Sequence, residues 1–316
     1  MSNASLSAPE HGESVRTTSL RFGILTFQDR PYTEMVADWR LIESLGFDAV
    51  WVADQFADAR AGERAWFDGW TWLTALATAT QRIRIGTLVT SITLHNPARI
   101  ALQALTVDHI SGGRLELGIG AGRAPLDHGM MGTPVWDPRE RSARFREFVE
   151  IVDRLLRHEA GTYTGQYYRV EAAAVLPRPT QQPRPPLILA AHGPAGLRLA
   201  AEYADGWNSF GRFRASPDEA LRMTRERNAR LDEYCTACGR DPRAVRRTFL
   251  TGFTSDPFLT SRDALQAFVG KYREAGIDEF IFYYIPGSRR AADTIASRRA
   301  LERLAVEDMP ALRAAG

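Results

Sequence analysis

The sequence predicts an α/β fold, a (β/α)8 TIM barrel with an insertion between its fourth and fifth strands, and three observations predict it. Eight short apolar runs alternate with helix-patterned segments along the chain. Most of the connections between them are short, which suits βα units closing on themselves. Several runs end in small or hydroxylated residues, as expected where ligands bind beyond the C-terminal ends of parallel strands. A doubly wound open sheet is the alternative, but such sheets usually stop at about six strands.

The first run is Arg21–Thr26, and the helix after it shows Met35, Trp39, Ile42 and Leu45 at three-to-four spacing, closed by Gly46. Ala49–Ala53 is the second strand and Ile83–Val89 the third. Asn96-Pro97 then opens a helix where the missing proline N–H costs nothing. Leu115–Ile119 is the fourth strand, followed by a long gap over residues 123 to 186. That gap holds a charged helix, Pro138–His158, and a hairpin with a Pro-rich return. Its expected place is over the barrel mouth, as a substrate lid or a packing cover, and spacing does not choose between them. Leu187–Ala190, Gly206–Phe210, Thr248–Phe253 and Phe280–Ile285 complete the eight, with a helix through Phe268, Tyr272 and Ala275 closed by Gly276.

Composition narrows the function classes. The 316 residues are 44% hydrophobic, enough for one large barrel, so residues 19–316 are expected to form a single domain after a polar, Ser-rich tail over residues 1–18, expected to be disordered. No run approaches the ~20 apolar residues of a membrane span, and the tail lacks an apolar signal region. The expectation is a cytoplasmic protein without a membrane partner. With 40 basic and 38 acidic residues the net charge is +2, which supplies no field for nucleic acid. The two cysteines, Cys235 and Cys238, form a single CxxC. Zinc would need a second ligand pair, so no metal site is expected.

The strand ends carry the candidate chemistry. Asp54 follows the apolar run AVWVA, where a carboxylate is partly desolvated and still faces a pocket; a loop cap or an arginine partner is the alternative. Gly118-Ile119-Gly120-Ala121-Gly122-Arg123 fails as a dinucleotide fingerprint, because GxGxxG needs glycine where Arg123 stands. Gly120 and Gly122 are instead expected to let backbone approach a flat ring. Ala191-His192-Gly193-Pro194 precedes a helix, and free N–H groups at a helix start beside a glycine make a phosphate site. His192 is expected to add a donor there or to fill space. His95 reads more often as a loop residue than a ligand, though near that ring, and His109 as structural. His128 is expected to face the mouth as the acid or base available there besides Asp127. Trp66 and Phe67 are candidates for a substrate wall, with Trp70 and Trp72 in the core. Arg123, His128, Arg212 and Phe213 suggest a mixed mouth that tolerates anions.

Five phrases in order, RFGILT, LGFDAVWVADQF, IRIGTLVTSITLHNPARIA, SGGRLELGIGAG and PLILAAHGPAGLRLAAEYADGWN, resemble the luciferase-like flavin and deazaflavin oxidoreductases across residues 20 to 305. The resemblance implies a (β/α)8 barrel binding a reduced isoalloxazine-like ring at the strand ends. It implies hydride transfer, or monooxygenation through a flavin peroxide. The chain's length resembles the branch that uses the deazaflavin coenzyme F420, with FMN as the alternative cofactor. A deazaflavin is an obligate hydride carrier, so cofactor identity decides reaction class.

The resemblance also implies roles for single residues. Asp54 contacts the cofactor ring. Leu88–Val89 is a non-prolyl cis peptide bulging toward that ring, with Thr90 and Ser91 offering hydroxyls to its polar edge. The loop Ala191-His192-Gly193 holds the cofactor phosphate, with His192 where the deazaflavin branch has glycine. The family's sugar-phosphate dehydrogenases carry His where Gln55 stands and a catalytic Glu where Arg123 stands. Gln55 is no acid or base, so that dehydrogenase role is in doubt. Arg123 instead suits an anionic substrate group or the cofactor tail, with a rim salt bridge as the alternative. The expected protein is an enzyme, or a member that binds cofactor without chemistry, acting on a small molecule. A homodimer and a separate reductase supplying reduced cofactor are expected partners.

Overall fold

Apolar β-branched and aromatic residues on both faces make RFGILT and its counterparts strands that sit buried between two layers. The computed structural model describes residues 19–57, 65–157, 161–254, 256–290 and 292–314. The expected tail, residues 1–18, lies outside them. In chain order the elements are β1 (Arg21–Thr26), α1 (Tyr32–Ser44), β2 (Ala49–Asp54), α2 (Gly69–Ala79), β3 (Arg84–Ser91), α3 (Pro97–Ser111) and β4 (Leu115–Gly120). Then follow α4 (Pro125–Met130), α5 (Pro138–Leu156), β5 (Gly161–Thr164), β6 (Arg169–Ala173), β7 (Leu187–Ala190), α6 (Pro194–Tyr203) and β8 (Gly206–Ser209). The chain continues through α7 (Pro217–Ala237), β9 (Arg246–Leu250), α8 (Arg262–Glu274), β10 (Glu279–Tyr284), α9 (Arg298–Arg303) and α10 (Met309–Ala314).

Eight of the strands close a parallel barrel in the order β1, β10, β9, β8, β7, β4, β3, β2. Local signals set the helices that cover it. Asn96 caps α3 by accepting from the N–H groups of Ala98 and Arg99, and Gly112 ends it in the left-handed region at φ 65°. Asp137 caps α5 in the same way. Phe22 packs against Phe280 and Phe282 in the core. Burying one such side chain contributes ~1.5–3 kcal/mol.

Two placements differ from expectation. The ninth strand begins at Arg246 and ends at Leu250, earlier than the apolar run Thr248–Phe253 suggests. Arg246 is tolerated inside the barrel because Glu116 and Glu279 pair with it, and Gly252, at φ 80°, ends the extended run. The hairpin of the insertion and its Pro-rich return do not cover the mouth, although α4 at the start of the insertion borders it. Helix α5 packs beside α3 and α6 as part of the helical ring. The hairpin β5–β6 is fastened to α5, where Glu147 accepts the N–H groups of Gln166, Tyr167 and Tyr168 and Glu150 accepts the Tyr163 hydroxyl. The Pro-rich return runs past the opposite face, since Gln181 bonds Asp108 and the Leu115 carbonyl at the start of β4. It is a packing cover. Acidic side chains facing unpaired hairpin N–H groups decide this, and spacing does not carry that information.

Candidate active site at the strand C-terminal ends

Asp54 closes β2 and is 3% exposed. Its Oδ2 accepts the Ser91 N–H at 3.3 Å and stands 2.7 Å from His95 Nε2. His95, expected to be more often a loop residue than a ligand though near the ring, is therefore joined to a buried carboxylate of the mouth. The pairing arises because β2 and β3 run in register, Asp54 beside Thr90, so the loop after β3 returns over the end of β2. Gln55 is exposed, and its backbone carbonyl accepts Trp66 Nε1–H at 2.8 Å. Trp66 in turn packs against Phe27, centroids 5.3 Å apart, so it belongs to the mouth. Phe67 instead stacks on Trp72 at 4.6 Å.

Leu88–Val89 is a cis peptide. The β3–β4 register shifts beside it, between Gly86 and Thr90. A Cβ at Gly120 would collide with Val89 and one at Gly122 with Thr93 Oγ1, so these glycines give room to the β3 bulge itself. The Thr90 hydroxyl is paired with Thr87 at 2.8 Å, whereas Ser91 Oγ is buried without a partner.

Around the mouth, six buried polar atoms have no hydrogen-bond partner among the described residues: Gln28 Oε1, Ser91 Oγ, Thr93 Oγ1, Asp127 Oδ2, His192 Nε2 and Ser209 Oγ. All lie at or just beyond the C-terminal ends of β1, β3, β4, β7 and β8. Buried polar groups are normally satisfied, and leaving one unpaired costs ~1–3 kcal/mol. Gln28, Thr93 and Ser209 escaped sequence reading. The available signal was a polar residue directly at or after each apolar run.

Gly193 is the N-cap of the ten-residue helix α6 and contributes no side-chain cap, so the N–H groups of that first turn point outward without one. Nothing lies within 4 Å of a Cβ built on Gly193. His192 meets Phe210 edge-on at 4.5 Å. Burial, with Arg227 and Arg123 nearby, pushes its pKa down to about 3, so the ring is neutral. Its expected donor role is then that of an uncharged N–H. Arg123 is exposed, and Arg212 pairs with Glu219 at 2.9 Å.

His128 does not lie open at the mouth as expected. It is buried in the short helix α4, edge-on to Trp136 at 4.8 Å, with Nδ1 3.4 Å from the Thr133 hydroxyl. Its neighbour Asp127 turns inward instead, and Oδ1 accepts the Phe56 N–H at 3.1 Å. Burial pushes the Asp127 carboxyl up, the Phe56 bond pulls it back, and Asp54 raises it further. On the other side of the mouth a cavity of about 400 Å³ is bounded by Phe27, Tyr283, Ile285 and Arg290. Cys235 is buried and Cys238 exposed, both as free thiols, and no metal-ligand cluster occurs among the described residues. Among those residues, no helix is long and apolar enough to cross a membrane.

A closed parallel barrel with unsatisfied polar atoms gathered at its strand C-terminal ends defines a cofactor- and substrate-binding barrel of the enzyme type. The chain belongs to the luciferase-like monooxygenase family, whose model matches residues 6–311. It is 37% identical over 166 residues to the F420-dependent glucose-6-phosphate dehydrogenase of Kineococcus radiotolerans, covering 52% of this chain and 48% of that one. The chain thus spans about half the length of the first curated relatives it matches. A Mycobacterium tuberculosis protein carrying the name coenzyme F420-dependent oxidoreductase Rv3520c is 32% identical over 268 residues, 81% of this chain and 68% of its own. An F420-dependent secondary alcohol dehydrogenase, solved with an F420-acetone adduct, superposes with a TM-score of 0.79 at 19% identity. It covers 93% of this chain and 99% of that one, which supports the barrel fold.

Proposed function

We propose that this chain is an oxidoreductase that moves a hydride between the deazaflavin coenzyme F420 and a small organic substrate. The ring of unsatisfied polar atoms at the strand ends carries the reading, because a flat cofactor with a polar edge supplies the partners they lack. Names of relatives aligned over about half and over 81% of this chain favour F420 over FMN. The deazaflavin, when reduced, supplies a hydride. Asp54, Leu88, Val89, Thr90 and Ser91, with Gly120 and Gly122 shaping the bulge, would face the ring. Ala191, His192 and Gly193 would hold the phosphate on the α6 N-terminus, within the field of Arg123 and Arg227.

Asp54, Gln55, Arg123 and His128 are the catalytic candidates carried from the sequence. Gln55 and Arg123 present exposed groups at the mouth, suited to orienting a polar or anionic substrate. His128 supports α4 through Trp136. The working form in this reading is one barrel domain over residues 19–316, a cytoplasmic homodimer fed by a separate reductase.

Absorbance-monitored titration of the protein with F420 and, separately, FMN tests the assignment. Saturable F420 binding is expected. The second reading, an FMN-dependent monooxygenase, is favoured by the family's own description. Tight FMN binding without measurable F420 affinity would establish it in place of the first.

A further inference from the structure

We infer that His95 is the proton-transfer residue of this mouth and that Asp54 is its positioning partner. The inference rests on the hydride-transfer reading and adds to it the group that completes the reaction. Hydride transfer to a carbonyl or an activated alkene adds a pair of electrons with one hydrogen; the substrate then needs one proton. Neither Gln55 nor Arg123 supplies it, since an amide is no acid and a guanidinium stays protonated.

His95 has the required geometry. Its side chain is 13% exposed, and Nε2 lies 2.7 Å from Asp54 Oδ2. A carboxylate accepts, so Nε2 carries its hydrogen toward Asp54, which fixes ring orientation and tautomer. Nδ1 makes no hydrogen bond among the described residues and is not among the sealed, partnerless atoms, so it remains reachable from the mouth. Asp54 is held in turn by the Ser91 N–H and by its place at the end of β2. Base, orienting carboxylate and backbone anchor form the chain that proton-transfer sites share.

The balance is simple. In the reducing direction the substrate receives a hydride from the reduced deazaflavin and a proton from Nδ1 of the His95 imidazolium. The cofactor leaves oxidised and His95 is left neutral, with its Nε2–H still on Asp54. Solvent returns the Nδ1 proton through the open mouth. In the oxidising direction Nδ1 accepts the hydroxyl proton.

The first test is carbethoxylation of the imidazoles by diethyl pyrocarbonate, read residue by residue by mass spectrometry with and without saturating F420. His95 is expected to react in the free protein and to be protected at least tenfold by F420, while the exposed His109 is not. An unreactive or unprotected His95 overturns the inference. Fluorescence titration of F420 runs alongside. If F420 does not bind, the functional reading has failed separately, and protection by FMN then decides the place of His95.

The second test is His95→Gln. It should hold F420 within about threefold of the unmodified affinity and slow reduction of cyclohex-2-enone by ~10²–10⁴-fold. An equal rate overturns the inference; should cyclohex-2-enone not react with the unmodified protein, the labelling result decides alone. For Asp54→Asn, ring ¹⁵N shifts should report loss of the single Nε2–H tautomer, with kcat falling more than KM changes. Retention of that tautomer removes Asp54 as the positioning partner.

Discussion

Arg246 Nε stands 2.9 Å from Glu279 Oε2 while the same guanidinium bonds Glu116 through Nη2, so one buried cation serves two carboxylates on the barrel floor. Their environments drive the carboxyls apart. Burial raises Glu116, but Arg246, Arg21 and Arg84 outweigh it and bring it down to about 2. Burial raises Glu279, and Arg246 and Arg21 do not offset it against Glu116 and Asp48.

Opposite pH trends follow for two isosteric changes. Glu116→Gln leaves Arg246 and Arg84 without their main anion and should cost ~3–5 kcal/mol at pH 7. Because the folded value lies below the ordinary 4.5, that stabilisation is present above 4.5 and disappears as pH falls toward about 2. Glu279 is shifted upward, so its contribution is present below 4.5 and is lost as pH rises through its folded value. The penalty of Glu279→Gln should accordingly shrink as pH rises from 4.5 through that folded value. Thermal unfolding from pH 3 to 9 checks both signs; equal penalties for the two variants would refute the division.

His192 gives a third pH signature. Its folded value of about 3 against an ordinary 6.5 means that the unfolded chain binds a proton which the folded chain refuses. Stability should fall as pH drops below 6.5, by up to about 1.4 kcal/mol per pH unit from this group. In His192→Gln the decline between pH 6.5 and 4.5 should be shallower, as measured by denaturant unfolding. An unchanged slope would show the ring to be accessible to protons in the folded protein.

Two glycines at the mouth should behave differently. Gly122 sits at φ 66° with Thr93 Oγ1 in the space of a Cβ. Gly122→Ala should therefore cost about 1–3 kcal/mol and lower Tm by several degrees. Gly193 has an ordinary φ of −93° and open space around it. Gly193→Leu should leave Tm nearly unchanged.

The same Gly193→Leu protein should bind F420 more weakly by one to two decades, the effect of losing ~1.5–3 kcal/mol of charge-assisted phosphate contact. Equilibrium fluorescence titration reads this directly. Unaltered affinity would move the phosphate off the α6 N-terminus.

Much of the fold was legible locally. Strands announced themselves as apolar runs, and Asn96-Pro97 marked the start of α3. The start of β9 was not legible, because Arg246 and Arg247 look like loop residues until Glu116, Glu279 and Asp232 are seen beside them. The packing around Gly120 and Gly122 was hidden for the same reason: their neighbours Val89 and Thr93 come from β3 and the turn after it.

By itself the sequence determined the elements and the end of each strand at which polar residues gather, since periodicity, caps and turn glycines act within a few residues. Only the tertiary structure decided which of those polar residues meet. Barrel closure and strand register bring Asp54 to His95, 41 positions later, and turn Asp127 toward the Phe56 backbone. It also carries the hairpin away from the mouth, through acidic side chains on α5 that satisfy its backbone. Such pairings are set by closure of the whole sheet, and no local pattern in the chain encodes them.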